Sequence, residues 1–575
     1  MSGTGLRNGY WGSRAKVPGT GLRNGYWGSR VSLFSCLPPR STVLRRGPHI
    51  LFVLALRYLF LTPVPRLCAV LALQYLLLTP VPAQAQDHPG KATYDKWCGE
   101  CHGAEGRGDG AAAATMLPRP RDFTQARYQI RTTASGALPT DADLHRILEY
   151  GMPGTAMPAW TKLSQAEREQ VISYIKTFSR FFQTEPAPAA IEIGSAPGAS
   201  EDRIAAGKRL YERMECWKCH GREGRGDGPS APTQEDENKQ PIRPANLTQN
   251  WHFNGGGRVE DIYTRMRTGI DGTPMPSFSD LIDAGLLTAD SLWNIALYVR
   301  SLSPQRTPEP AEVIRATLTT GDLPQSPDDA TWERIEPAYV PLVGQIVAKP
   351  RWFAPTVTAV WVQAVHNGRE LAIRLSWDDP SRSPDPAWEE WRTRVTSVME
   401  PKDAAPAEGP LPDAFTLQFP TRVAEGRDLP YFLNGDSRTP VYLWEWRSDS
   451  GVREAIARGM NVREPLPADG APVRAQAKFT DGRWQVVLHR TLAAQDTTRR
   501  ITLPTGTAVP IAFYAWDGSN GESGGRGSIS SWYFLHLNEP ATASVFITPV
   551  VAAAITALLG IVIVMRAQKQ YRTKE

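Results

Sequence analysis

Two five-residue motifs each place two thiols beside one imidazole. They read Cys98-Gly-Glu-Cys101-His102 and Cys216-Trp-Lys-Cys219-His220. In an exported chain, cysteines at this spacing form thioethers with the vinyl groups of a haem, and the following histidine becomes the proximal iron ligand. The two motifs therefore predict two covalently bound c-type haems.

The motifs belong to a longer repeat. Each continues into the same run, Gly106-Arg-Gly-Asp-Gly110 and Gly224-Arg-Gly-Asp-Gly228, and later reaches a methionine that precedes a proline. These methionines are Met157 and Met275, and each lies 55 residues after its histidine. A thioether at a fixed distance behind the motif is what a His/Met-coordinated haem requires, so we predict that both are distal iron ligands. When histidine and methionine fill both axial positions of a haem, the six-coordinate iron passes single electrons and has no open position for a substrate.

Other side chains in the two repeats could compete for iron. The competing methionines are Met116, Met152, Met214 and Met266. None shares the spacing and the Gly-Thr-x-Met-Pro context of the favoured pair, and Met152 is the strongest competitor. His145 and His252 do not occupy matching places in the repeat, so we interpret them as surface or loop histidines. A bare CXXC could indicate zinc or a redox dithiol, but the added histidine and distant methionine argue against both.

The charge distribution argues against nucleic acid as a partner. The formal net charge is +5, but residues 1–85 hold ten basic and no acidic residues, and 566–575 hold four basic and one acidic residue. The body between these ends, 86–565, therefore carries −8. A mildly acidic body favours a basic patch on a redox partner.

Both ends of the chain contain apolar segments that predict export across, or anchoring in, a membrane. A mostly apolar stretch at 51–78 follows three arginines and ends near Ala83-Gln84-Ala85, which predicts a signal segment over 1–85 cleaved after Ala85. The alternative is that 51–78 remains as a transmembrane anchor. Residues 545–565 are uncharged, long enough to cross a bilayer, and followed by the basic tail 566–575. The positive-inside tendency then places the tail in the cytoplasm and the body on the periplasmic or extracytoplasmic side.

Cysteine usage excludes thiol chemistry in the processed chain. Four of the six cysteines belong to the two motifs, while Cys36 and Cys68 precede the predicted cleavage site. No thiol then remains for a disulfide or a cysteine nucleophile.

The region of the repeat resembles class I cytochrome c, in which the first and last helices cross. We predict one such all-α domain at 87–183 and a second at 200–305. Ser164 and Glu167 form a capping box that predicts the start of the last helix of the first domain. At the crossings we expect contacts between Tyr94 and Tyr174, and between Gly207 or Tyr211 and Tyr298.

A Pro-rich linker is predicted over 304–331, and alternating Val, Ile, Trp and Tyr runs predict an all-β sandwich over 332–540. The segments 371–381, 413–420, 430–446 and 481–492 resemble the haem-binding γ subunit of ethylbenzene dehydrogenase and related complex iron–sulfur molybdoenzymes. In that family the domain holds one haem b between a methionine and a lysine.

The resemblance implies a haem b, but its ligands are not evident here. Leu433-Asn434-Gly435 stands where the family methionine is expected. The candidates that remain are Lys478 with Met460 or His489. The alternative is that Lys478 is a solvated strand residue and that the domain holds no haem b.

Together these features predict a membrane-anchored dihaem cytochrome c that acts as the electron-transfer subunit of a respiratory complex, with catalysis in a partner subunit. The expected partners are iron–sulfur and molybdenum oxidoreductase subunits and a soluble or membrane redox carrier. One alternative is a dihaem peroxidase, which would need an open iron position. Another is a redox or ligand sensor that uses the β domain.

Overall fold

The computed structural model describes residues 87–399, 409–423, 429–468, 472–540 and 543–573. The predicted signal segment 1–85 lies outside these residues. From Asp87 onward the chain runs through a helical region, then a sheet-rich region, and then one long C-terminal helix. This order confirms the predicted multidomain fold class.

The first helical domain is built from five helices: α1 (Lys91–Trp97), α2 (Gly99–His102), α3 (Asp141–Tyr150), α4 (Gln165–Thr177) and α5 (Phe181–Thr184). The predicted capping box is present, because Ser164 accepts from the backbone N–H of Glu167 and the Glu167 carboxylate accepts from that of Ser164. The 3.6-residue period then places Val171, Ile172 and Ile175 in the core.

The second helical domain repeats this plan with five helices: α6 (Glu201–Arg213), α7 (Trp217–His220), α8 (Val259–Thr268), α9 (Ser279–Asp283) and α10 (Ala289–Ser301). Ser200 caps α6 and Thr288 caps α10 through their side-chain oxygens. The buried face of α10 includes Leu292, Ile295 and Ala296.

The first and last helices cross at a glycine in both domains. A Cβ on Gly90 would lie 2.0 Å from the backbone oxygen of Gln170, and one on Gly207 would lie 2.0 Å from that of Asn294. Only glycine permits so close an approach of two backbones. The expected ring contacts are present beside each crossing, with Tyr94–Tyr174 and Tyr211–Tyr298 centroids both 5.3 Å apart.

The sheet-rich domain contains fourteen strands among the described residues: β1 (Val313–Leu318), β2 (Ala338–Pro341), β3 (Val343–Gly344), β4 (Ala359–His366), β5 (Glu370–Asp378), β6 (Ala414–Pro420), β7 (Val441–Arg447), β8 (Gly451–Ala457), β9 (Arg463–Pro465), β10 (Arg474–Thr480), β11 (Arg483–Thr491), β12 (Ala508–Trp516), β13 (Ser528–Ile529) and β14 (Tyr533–Leu537). Their main order is β10-β11-β5-β4-β1-β14-β12-β6-β7-β8-β9. One core cluster draws on β4, β5 and β11 as well as β6, β7 and β12. The two halves of the strand order therefore enclose a common core, as in a sandwich.

Two hairpins of the sheet form around turn sequences that contain glycine. β4 and β5 are antiparallel around Asn367-Gly368, and β10 and β11 are antiparallel around Asp481-Gly482. Asp481 and Gly482 have φ values of 47° and 70°, which is the left-handed conformation that a tight two-residue hairpin turn requires.

Two features of this domain differ from the prediction. The segment 304–331, predicted as a linker, contains β1, which lies between β14 and β4 and is parallel to both. The region predicted as all-β also contains α11 (Glu389–Met399). The sequence there has a short helical period, because buried residues recur every three or four positions at Trp388, Trp391, Val395 and Met399.

The C-terminal helix α12 (Ala543–Arg572) includes the predicted span 545–565. Within it, the most apolar 18-residue stretch of Ile547–Arg572 has a mean hydropathy of 2.6. A helix of this length and composition fits a single-pass membrane anchor.

Candidate haem sites

The first CXXCH motif forms the short helix α2, which directs its histidine inward. His102 is buried, and its Nδ1 lies 3.0 Å from the backbone oxygen of Arg121. The Phe123 ring stacks on the imidazole at 4.4 Å and 19°. Because the carbonyl accepts a hydrogen bond from Nδ1–H, the lone pair of Nε2 is left for a metal, as in most histidine-ligated sites.

The second motif repeats this arrangement. Nδ1 of His220 lies 3.0 Å from the backbone oxygen of Ala245. Burial lowers the pKa of both His102 and His220, so both rings are neutral at physiological pH. A neutral, oriented imidazole is the state that binds iron.

A tyrosine from the first helix fixes the turn after each histidine. The Tyr94 hydroxyl donates to the backbone oxygen of Gly103, and that of Tyr211 donates to Gly221, both at 2.6 Å. The φ values of Gly103 and Gly221 are 78° and 82°. A Cβ at either position would also collide with an aspartate of the following Gly-Arg-Gly-Asp-Gly run, which explains why glycine follows both histidines.

The two predicted methionine ligands lie in loops of the same form. The backbone N–H of Met157 donates to the Thr155 hydroxyl, and that of Met275 donates to the Thr273 hydroxyl. The backbone oxygen of Met157 accepts from Met152, and that of Met275 accepts from Ile270. Met152 therefore matches an isoleucine, which cannot bind iron, and this match favours Met157 as the ligand.

Met266, a competitor in the second domain, also fails to match a methionine in the first. The backbone oxygens of Leu148 and Met266 accept from equivalent positions, Trp160 and Phe278, so Met266 matches a leucine and is a core residue. Met157 and Met275 are half-buried and pack against the cores of their own domains. The assignment of Met157 and Met275 as iron ligands stays a prediction.

The thiols do not have the properties of a redox dithiol. Burial raises the pKa of Cys98 to about 12 and that of Cys216 to about 11. Reactive or zinc-binding cysteines have lowered values instead. Cys101 and Cys219 are half-buried, and all four motif thiols are unpaired.

Buried donors near the motifs also fit a bound haem. The Tyr128 hydroxyl and the Trp160 indole N–H are buried and have no hydrogen-bond partner among the described residues. The Tyr128 ring stacks on Phe123, which stacks on His102, and the Trp160 backbone follows the Met157 loop. Unpaired buried donors are rare, and haem propionates would supply acceptors. These two donors of the first domain therefore fit a bound haem.

The haem b candidates do not lie together. Lys478 is exposed and its ammonium pairs with both carboxylate oxygens of Asp328, at 2.8 and 2.9 Å. His489 is buried on the same sheet face but opposite Arg474, four ladder positions and roughly 13 Å along the strands from Lys478. Met460 packs in a separate cluster, with its sulfur 3.6 Å from the Tyr514 hydroxyl. These three side chains do not form a haem b ligand pair, and the presence of haem b stays a prediction.

Comparisons with known families identify the kinds of domain in the chain. Residues 85–175 match the family described as cytochrome c oxidase, cbb3-type, subunit III, and residues 204–303 match the cytochrome c family. Residues 329–464 and 456–528 match the ethylbenzene dehydrogenase family. The chain combines two cytochrome c domains with an ethylbenzene dehydrogenase-type domain. Haem c is the cofactor characteristic of the first two.

Individual relatives match parts of the chain. A respiratory nitrate reductase haem subunit of Haloferax mediterranei is 27% identical over 228 residues, covering 40% of this chain and 74% of the relative. The chlorate reductase γ subunit of Ideonella dechloratans is 28% identical over 233 residues, covering 40% of this chain and 86% of the relative. A chain of the reducing HAO-like protein complex of Kuenenia stuttgartiensis is 45% identical, with a TM-score of 0.36, covering 37% of this chain and 96% of that one.

Sequence reasoning missed the residues that join the cytochrome c domains to each other. Arg131 of the first domain is fully buried and pairs with Asp271 of the second at 2.8 Å. Its guanidinium also donates to the backbone oxygen of Thr268 at 3.0 Å. Arg131 belongs to no motif, so nothing in the sequence distinguishes it from a surface arginine.

One aspartate of the sheet makes several contacts with the second cytochrome c domain. Asp378, at the end of β5, accepts from Asn246 at 2.8 Å and from Gln249 at 3.0 Å. It also pairs with Arg225 of the Gly-Arg-Gly-Asp-Gly run at 3.4 Å and with Arg483 of the sheet at 2.8 Å. The repeat run therefore has a second role in this domain, which is to contact the sheet.

Proposed function

We propose that the chain is the electron-transfer subunit of a respiratory oxidoreductase complex, and that it carries two haem c groups. The observation that carries this proposal is the matched pair of histidine and methionine loops, each built on the same hydrogen bonds. Each bound haem would supply reversible one-electron chemistry. The protein would contribute one neutral imidazole and one thioether per iron, with no free coordination position for a substrate.

The sequence relationships support a place in a reductase-type complex. The two curated relatives are named as a haem subunit and a γ subunit of nitrate and chlorate reductases. We infer that catalysis occurs in a partner subunit of the iron–sulfur and molybdenum type, and that the ethylbenzene dehydrogenase-type domain contacts it. Electrons would then pass between that subunit and a soluble or membrane carrier.

We further propose that α12 anchors the chain with the body on the extracytoplasmic side. Thioether attachment of haem is a feature of exported chains, and Arg566, Lys569 and Arg572 lie at the end of the helix. Protease added to intact spheroplasts should then cleave the haem-bearing body and leave the tail protected. Protection of the body would contradict this orientation.

Purification from membranes tests the central proposal. We expect iron–sulfur and molybdenum subunits to co-purify, and the pyridine haemochrome spectrum to give about two haems c per chain. A c:b ratio near 2:1 would support a haem b in the sheet-rich domain, whereas haem c alone would make that domain a contact surface. Rapid CO binding by the ferrous protein, or turnover of hydrogen peroxide, would contradict closed electron-transfer haems and favour a peroxidase.

A further inference from the structure

Three aspartates lie close together at the ends of three strands of the sheet-rich domain. Asp379 follows β5, Asp413 precedes β6, and Asp517 follows β12. One carboxylate oxygen from each lies within 4.8 Å of the others. Their side chains are 1%, 0% and 0% exposed. Three like charges at this separation and depth repel each other strongly unless a cation or protons neutralise them.

Most oxygens in the cluster have partners, but one does not. Asp413 accepts from the backbone N–H of Ser383 at 2.7 Å and from the Trp484 indole at 3.0 Å. Asp517 accepts from the Thr356 hydroxyl at 2.6 Å. Asp379 uses Oδ1 to accept from the backbone N–H of Ser381, whereas its Oδ2 is buried without a hydrogen-bond partner in the described part of the chain.

An unpaired carboxylate oxygen at this depth is stabilised by a bound cation or by a proton. The Arg243 guanidinium reaches the cluster, but it lies on the side of Asp517, 3.4 Å from Oδ2 of that residue.

We propose that Asp379, Asp413 and Asp517 bind a divalent calcium ion that joins three loops of the sheet-rich domain. The donors are all oxygens, which suits a hard cation and excludes the soft and borderline metals that prefer cysteine or histidine. Calcium binds oxygens at 2.3–2.6 Å, so two oxygens on one ion lie at most about 5 Å apart, and the three carboxylate oxygens here, all within 4.8 Å of one another, satisfy that limit. The hydroxyls of Ser383 and Ser519, 2.8 Å apart beside the cluster, offer further oxygens.

The position of the cluster gives the ion a structural role. Asp517 also contacts Arg243 of the second cytochrome c domain, and Asp379 is the neighbour of Asp378, to which that domain donates four side-chain contacts. The backbone N–H of Asp379 donates to Gly482 in the β10–β11 hairpin. Calcium would therefore hold rigid the surface on which the cytochrome c domain lies, independently of any redox chemistry.

Metal analysis of the intact protein gives the first test. The detergent-purified full chain is dialysed against calcium-free buffer, and calcium, magnesium and iron are measured together by mass spectrometry. Covalently held iron serves as the internal standard, and we expect about one calcium per two irons. EGTA followed by dialysis should remove the calcium and lower the unfolding temperature, measured by circular dichroism of the sheet, and added calcium should restore it. No bound calcium and no response to EGTA would overturn the proposal.

Substitution of Asp379 gives a test that depends on the sign of the change in stability. Asp379→Asn removes one charge with little change of shape, so it should lower calcium affinity at least tenfold while relieving repulsion in the calcium-free protein. We expect the variant to be less stable than the parent with calcium and more stable without it. The matched control is Glu445→Gln, a buried carboxylate of β7 that pairs with Arg453 and Arg463. It should destabilise the protein equally with and without calcium. An Asp379→Asn effect that is likewise the same in both buffers would overturn the proposal.

Discussion

In the first cytochrome c domain, the carbonyl that accepts from the proximal histidine lies 19 residues after that histidine, whereas in the second it lies 25 residues after. Both domains nevertheless place the methionine 55 residues after the histidine. The second domain therefore has a longer first segment and a shorter second one. Equal spacing in the sequence results from two compensating differences. The hydrogen-bonded loops that hold the histidine and the methionine, which together form the cradle of each haem, stay the same in both domains.

The extra residues of each domain contact the other domain. In the second, a short turn closed by the Glu235–Pro241 bridge presents Glu237 to Arg121 and Arg127 of the first. In the first, the longer second segment carries Arg131 to Asp271. The cradle of each haem is thus fixed by hydrogen bonds within its own domain, while the inserted segments set how the two domains lie together.

The largest expected effect comes from breaking the buried contact of the first insertion. Arg131→Met should lower the free energy of unfolding by about 3–5 kcal/mol, because it leaves Asp271 and the backbone oxygen of Thr268 without their buried partner. The urea midpoint followed by haem absorbance measures this loss. Arg127→Met is the matched control, since the Arg127 side chain is 55% exposed and its loss should cost at most about 1 kcal/mol. Equal effects would contradict a special role for Arg131.

The methionine loops should respond alike because they are built alike. Met157→Leu and Met275→Leu should each abolish the sulfur-to-iron charge-transfer absorption of one haem and lower one reduction potential by more than about 0.1 V, or roughly 2.3 kcal/mol per electron. Potentiometric titration of each variant measures the shift. Met152→Leu and Met266→Leu are the controls and should leave both potentials within error. A normal spectrum in Met157→Leu with a changed one in Met152→Leu would reverse the ligand assignment.

Much of the helical region could be predicted from the sequence because its restraints are local. The cysteines, the glycine after each histidine and the Ser164–Glu167 capping box act within a few residues, and the structure shows each local arrangement. The tyrosine contacts at the helix crossings could also be predicted, because the repeat supplied two copies of the same pattern.

The rest depends on partners that are distant in the chain. The sequence predicts a linker over β1 because these six residues follow prolines and show no long period, yet β4 and β14 on either side make it a central strand. Asp379, Asp413 and Asp517 are spread over more than a hundred residues and come together only when the sheet forms. The haem b candidates Lys478 and Met460 lie apart, and the sequence could not show this because residue type alone does not place two distant residues.

A smaller effect should separate the common cradle from the insertions. Tyr94→Phe and Tyr211→Phe each remove the hydroxyl that donates to the glycine carbonyl after the histidine, so each should cost about 1 kcal/mol. Because the two bonds have the same length and burial, the two losses should agree within a few tenths of a kcal/mol. Tyr150→Phe, on an exposed residue, should change nothing. Clearly unequal losses would show that the two cradles are not equivalent.

The smallest expected effect concerns the insertion of the second domain. Glu237→Gln weakens the pairs with Arg121 and Arg127, which are partly exposed, so the loss should be at most about 1 kcal/mol and should shrink as salt screens the charges. Urea midpoints at low and high salt measure this dependence. Glu235→Gln provides the contrast, because it breaks a pair with Arg394 of the sheet-rich domain instead. If only Glu237→Gln alters electron exchange between the two haems, the insertion fixes the relative position of the two cytochrome c domains. If Glu235→Gln does so equally, the sheet-rich domain has a part in setting that arrangement.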